Sequence, residues 1–181
     1  MQRRFFSCRL RLLAAYGAAL LWWGVGPTPV GASADPSPIK IAVFDFELDD
    51  FSAGAGLAGD NSADLAQLDR ATSEARRLIA QSGRYTLVDV SSAEDDAAKQ
   101  RSLRQCNGCE AAIALKLGAD QSFVGVVTRI SRTEYVVRFE IRDARTGAIA
   151  LARQSDLRIG ADYSWNRGAE WLINNAMLNN H

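Results

Sequence analysis

From Ile39 onward the chain shows two kinds of hydrophobic periodicity, and each marks an element. Ile39 to Phe46 is apolar on both faces, with Ile39, Ile41 and Val43 on one side and Ala42, Phe44 and Phe46 on the other. Such a run predicts a strand buried in mid-sheet. Asp49 to Asp60, rich in Gly, Asp and Ala, predicts a surface loop. Leu65, Leu68, Thr72, Ala75 and Ile79 then recur at spacings of three and four, with Asn61 or Ser62 as a cap and Gly83 as a stop. This predicts an amphipathic helix. Tyr85 to Val90 reads as a second strand, and Ser91 or Ser92 opens a polar, weakly helical stretch that runs to Cys106.

A short helix from about Cys109 to Leu117 follows, closed by Gly118. Ser122 to Ile130 reads as a strand. Tyr135, Val137, Phe139 and Ile141 then alternate with Glu134, Arg138, Glu140 and Arg142, a half-buried strand pattern. Asp143 to Gly147 has the residues of a tight hairpin, and Ala148 to about Leu157 returns. A last helix begins near Ser164, with Trp165, Ala169, Leu172, Ile173 and Ala176 on one face. The order β-α-β-α-β-β-β-α predicts an α/β (α+β) fold, a mixed sheet with helices packed on it and a C-terminal antiparallel meander.

The amino-terminal segment has a different character. Arg3, Arg4, Arg9 and Arg11 make a basic start, Leu12 to Gly26 is uncharged and mostly apolar, and Ala32-Ser33-Ala34 precedes Asp35. That succession predicts a secretory signal peptide over residues 1–34 and a single domain over residues 35–181 in the periplasm. The apolar run is shorter than the roughly 20 residues of a membrane-spanning helix and is broken by Gly17 and Gly24. Stable membrane insertion after cleavage is therefore not expected. Cys8 precedes the apolar run, which argues against lipid attachment. Arg3-Arg4-Phe5-Phe6 partly matches a twin-arginine signal, but the match fails beyond Phe6, so the general secretory route is the reading adopted.

Cleavage changes the charge balance. The whole chain has 21 Lys+Arg and 21 Asp+Glu, and loss of residues 1–34 leaves 17 basic residues, a net charge of about −4. A mildly acidic domain is a poor match to a phosphate backbone, so no nucleic-acid partner is expected. Two cysteines remain, Cys106 and Cys109, and in an oxidising compartment an even count points to a disulfide. The Cys-x-x-Cys spacing at a helix start is also that of a redox couple. Thioredoxin-like enzymes, however, place the pair after a buried strand and require a later cis-proline. Here Glu94 to Gln105 is polar, and Pro27, Pro29, Pro36 and Pro38 all lie upstream. Zinc would call for about four ligands, and His181 at the chain end is the one other soft donor. No metal or other cofactor is expected.

Two further groups are candidates for partner recognition. Asp45, Glu47 and Asp49, with Asp50, gather where the first strand ends, the region in which sheet proteins often bind ligands. As a calcium loop the segment fails, because Asp50 stands where glycine is needed and Gly56 where the bidentate acid should be. Tyr163, Trp165 and Arg167 open the last helix. Trp and Arg carry much of the energy at interfaces, whereas the position of Trp165 on the apolar stripe equally fits a core residue. No Gly-Lys-Ser/Thr phosphate loop is present, and the terminal His181 can organise no catalytic triad.

Several of these segments together carry a resemblance. Lys40 to Phe46, Gly83 to Asp89, and Leu117-Gly118-Ala119-Asp120 running into Val124 to Val127 resemble the amino-terminal domain of TolB and its relatives among envelope assembly factors. With Cys106-Asn107-Gly108-Cys109 and Tyr163 to Gly168 included, residues 35–181 are similar to an uncharacterised family of exported bacterial proteins, a domain of unknown function. The resemblance implies a non-enzymatic binding or accessory role with a protein partner in the cell envelope. The alternative is a small exported thiol-disulfide oxidoreductase using Cys106 and Cys109.

Overall fold

The computed structural model describes residues 37–53, 55, 62–131, 133–158 and 164–179. The expected signal segment, Tyr163 and His181 lie outside the described residues. A six-stranded mixed sheet is built from β1 (Ile39–Val43), β2 (Glu47–Asp50), β3 (Tyr85–Val88), β4 (Gln121–Arg129), β5 (Glu134–Asp143) and β6 (Ile149–Arg158). The strand order is β3-β1-β4-β5-β6, and β2 also pairs with β4. β1 runs parallel to both β3 and β4, while β4, β5 and β6 form the expected antiparallel meander.

Parallel neighbours need crossovers, and helices supply them. α1 (Ser62–Gln81) lies between β2 and β3 in the chain; α2 (Asp96–Lys99), a 3₁₀ turn (Leu103–Gln105) and α3 (Cys109–Lys116) lie between β3 and β4. α4 (Ser164–Leu172) continues into a π-helical segment, Ile173–Leu178. Leu68, Ala71, Ala75 and Ile79 of α1 join Trp165, Ala169 and Leu172 of α4 over one face of the sheet. Leu103, Ile113 and Ala114 pack on the other face, against Ala42, Phe44, Val124 and Val126. Among the described residues no helix is long and apolar enough to cross a membrane.

The first strand departs from the sequence expectation in an informative way. Instead of one strand from Ile39 to Phe46 there are two, because Val43 pairs with Phe123 but Glu47 pairs with Val126. One extra residue is taken up across Phe44-Asp45-Phe46, the arithmetic of a β-bulge. A one-residue slip exchanges the faces. Phe46 therefore joins Ile41 and Val43 in the larger core rather than Ala42 and Phe44. The slip is possible because β4 has glycine opposite it: a Cβ on Gly125 would fall 2.3 Å from a Phe46 ring carbon.

Other boundaries shift for local reasons. Asp49 and Asp50, expected in a loop, extend β2 because β4 offers them a partner strand. Leu65 is 40% exposed while the rest of its stripe is buried, since it sits in the first turn of α1. The weakly helical stretch becomes one short helix with Asp95 as cap, its carboxylate accepting from the Ala97 N–H. Gly118 and Gly147 take φ of +81° and +70°, at the helix stop and the hairpin where glycine is expected.

Candidate functional site

The bulge places the acidic cluster and decides its chemistry. Asp45 sits in the bulge and Glu47 and Asp49 fall on the face of β2 that meets the segment between α2 and α3. An arginine from elsewhere in the chain meets each acid. Arg76 of α1 donates to Asp45 at 3.0 Å and to the Val43 carbonyl at 2.8 Å, and Arg101 also pairs with Asp45 at 3.2 Å and with Asp69. Arg104 pairs with Glu47 at 3.0 Å and lies 3.6 Å from Asp49.

Glu47 is the most enclosed of these groups, at 0% exposure. Its carboxylate accepts from the backbone N–H groups of Leu103 (2.6 Å) and Arg104 (3.1 Å) as well as from the Arg104 side chain. These donors open the 3₁₀ turn, so Glu47 caps that turn from β2 beneath it. Such an arrangement fixes a loop and leaves the carboxylate nothing with which to meet a partner. Asp45 and Asp49 remain partly exposed at the rim.

Arg129, at the end of β4, ties the same region to α4. It pairs with Asp50 at 3.0 Å and with Asp64 of α1 at 2.5 Å, and its guanidinium lies 5.7 Å from the Tyr135 ring centre and 5.6 Å from that of Trp165. Burial opposes its charge, but the Asp64 and Asp50 carboxylates hold its pKa above the ordinary arginine value. Asp50 is likewise pushed up by burial, yet the Ser52 N–H and hydroxyl and the Arg129 cation bring its pKa below the usual carboxylate range. Trp165 is fully buried. Arg167 is exposed on α4. Through Arg129 the fold connects Asp50 and Trp165, two residues far apart in the chain.

Cys106 and Cys109 are joined in a disulfide, with Cα atoms 5.6 Å apart. Asn107 and Gly108 turn the chain between them with φ of +47° and +107°. What precedes the pair is the 3₁₀ turn rather than a buried strand. Next to Cys109 stands Glu110, only 5% exposed, whose Oε1 is 2.8 Å from Arg142 Nε. Arg142 also pairs with Glu140 at 2.5 Å and donates to the Gly147 carbonyl. A groove of about 570 Å³ opens at the carboxyl ends of β1 and β3, where parallel sheets commonly bind ligands. Of its charged lining, Asp45 and Arg76 pair with each other and Asp89 accepts from the Ser91 N–H and hydroxyl, while Lys99 stands at the rim.

Arg76, Arg101, Arg104 and Arg129, which meet the acidic cluster, and Glu110 were not among the candidates that residue patterns single out. Only Glu110 carried a local signal, its position beside Cys109. The arginine pairings span 31 to 79 residues and depend on topology.

Residues 39–177 match the model of the family DUF3280, described as "Protein of unknown function (DUF2380)", and the chain belongs to that family. No curated protein matches it. Among solved structures, the LpoB C-terminal domain from Salmonella enterica is similar over 70% of this chain and 87% of its own, with 16% identity and a TM-score of 0.47. A PelC dodecamer from Paraburkholderia phytofirmans aligns over 80% of this chain and 89% of its own (17% identity, TM-score 0.44). TolB from Acinetobacter baumannii aligns over 79% of this chain but 29% of its own, at 16% identity and a TM-score of 0.43.

Proposed function

We propose that this chain is a non-enzymatic accessory protein of the bacterial cell envelope, exported by a signal segment cleaved near Ala34, that binds a protein partner along the free edge of its sheet. The observation that carries this reading is β6. It is ten residues long and last in the strand order, so among the described residues its outer row of backbone N–H and C=O groups has no neighbouring strand. Ala150, Ala152, Arg153 and Gln154 are exposed along it, and Ile149 is 54% exposed. An edge of this length is a template for an added strand.

The surface beside the edge supports the same reading. The helices on the Phe44 side cover β1 and β4, whereas Arg138 and Glu140 of β5 line an open groove of about 530 Å³ with Ala152 and Gln154 of β6. A strand laid on the outer edge of β6 would place the side chains of that face beside Ala152 and Gln154. The oxidoreductase alternative finds less support, since the cysteine pair follows a 3₁₀ turn and its disulfide serves equally as a staple for α3. The test introduces Ala152→Lys and Gln154→Lys, exposed positions at which edge lysines discourage strand pairing. Affinity capture of tagged protein from native periplasm, read by mass spectrometry, should lose its specific partner in the double variant. Equal recovery by wild type and variant would count against the edge.

A further inference from the structure

The sequence offers His181 as the one soft donor beyond the two cysteines, but the fold adds a hard one. Both Sγ atoms and a carboxylate oxygen of Glu110 lie within 4.8 Å of one another. Glu110 also has a peculiarity of its own. One oxygen meets Arg142, while Oε2 is buried and has no hydrogen-bond partner. A buried carboxylate oxygen left unpaired is costly, and an ion is one of the recognised reasons for keeping such a group. Beside it is a cavity of about 170 Å³ whose charged lining is Glu110 and Glu140 with Arg104, Arg138 and Arg142, with room for an ion's solvent ligand.

We propose that reduction of the Cys106–Cys109 bond converts this cluster into a binding site for a zinc-like divalent cation, held by two thiolates and Glu110 with its fourth position open to the cavity. Two sulfurs and one oxygen suit a borderline cation and fit copper(I) less well, because the carboxylate is a hard donor. A dithiol reductant passes two electrons and two protons to the Sγ–Sγ bond, which breaks to two thiols while the reductant closes to its own disulfide. Each thiol then releases its proton as the metal–sulfur bond forms. In a tetrahedral site with bonds of about 2.3 Å the sulfurs stand roughly 3.7 Å apart, a separation the Asn107-Gly108 turn has to accommodate. Arg142, beside Oε1 of Glu110, balances part of the negative charge.

Protein carrying Cys8→Ser, so that this pair supplies all thiols, is reduced with a dithiol, freed of it anaerobically and titrated with cobalt(II) alone. One cobalt per chain with a thiolate-to-cobalt charge-transfer band in the near ultraviolet is expected, and the oxidised protein should show none. Glu110→Gln should weaken binding more than about tenfold, the loss typical of removing even an outer partner of a metal site. Glu110→Asp, which keeps the charge opposite Arg142 but shortens its reach, should weaken it as well and serves if the glutamine variant fails to fold. Absence of the band in reduced protein, or wild-type affinity in a folded Glu110 variant, would overturn the proposal.

Discussion

Replacing Glu47 with alanine should act on the fold before it acts on any partner. The side chain is fully buried and accepts three hydrogen bonds, two from backbone N–H groups and one from Arg104, itself 18% exposed. Glu47→Ala strands both backbone donors and takes from Arg104 its buried partner, leaving it Asp49 at 3.6 Å and the Arg101 carbonyl. Removing one member of a buried ion pair costs about 3–5 kcal/mol, because the remaining charge and its neighbours lose their partner without regaining water. Glu47→Gln retains one acceptor oxygen and should cost less, about 1.5–3 kcal/mol for a lost charge-assisted bond. For a domain of this size a kcal/mol moves the melting temperature by about 3 °C. Scanning calorimetry should therefore show a fall of roughly 10–15 °C for alanine and a clearly smaller one for glutamine. An alanine variant melting within about 2 °C of wild type would refute the capping role of Glu47.

Gly125→Ala should destabilise by about 1–3 kcal/mol through overpacking, since its Cβ would overlap a Phe46 ring that is 1% exposed; adding Phe46→Leu should recover part of the loss in a thermal melt. Asp143 holds its pKa below the ordinary value chiefly through the Thr146 N–H, then the Thr146 hydroxyl. A depressed folded pKa contributes stability at neutral pH that disappears as pH falls through it, so the melting temperature should drop below about pH 4, and less steeply in Asp143→Asn. Cys106→Ala with Cys109→Ala should lower the melting temperature by about 6 °C, from the roughly 2 kcal/mol that closing so small a loop contributes. It should leave partner capture intact.

Local patterns made most of the fold legible. Alternation in Tyr135 to Ile141 and the stripe from Leu68 to Ile79 each reflect one buried face, which is a property of consecutive residues. The bulge was not legible, because it depends on Gly125 lying opposite Phe46, 79 residues away. Once the slip occurs, Glu47 turns inward and an acidic cluster that reads as a surface becomes a set of internal ties. The arginines show the same limit: Arg76, Arg104 and Arg129 lie in ordinary amphipathic or polar contexts, and only the crossovers bring them to their acids. The cysteine pair was readable from its spacing, whereas its connection to Arg142 through Glu110 required α3 and the fifth strand to be placed.

The most direct measurement of the β6 edge as the docking surface is site-specific photo-crosslinking in the periplasm. A photoreactive residue at Gln154, exposed on β6, is compared with one at Thr86, exposed on the opposite edge strand β3. Docking along β6 calls for a discrete crosslinked species from position 154 that is absent from position 86 and vanishes when Ala152→Lys is added. Crosslinks from position 86 alone, or from neither position while the partner is still captured, would contradict it.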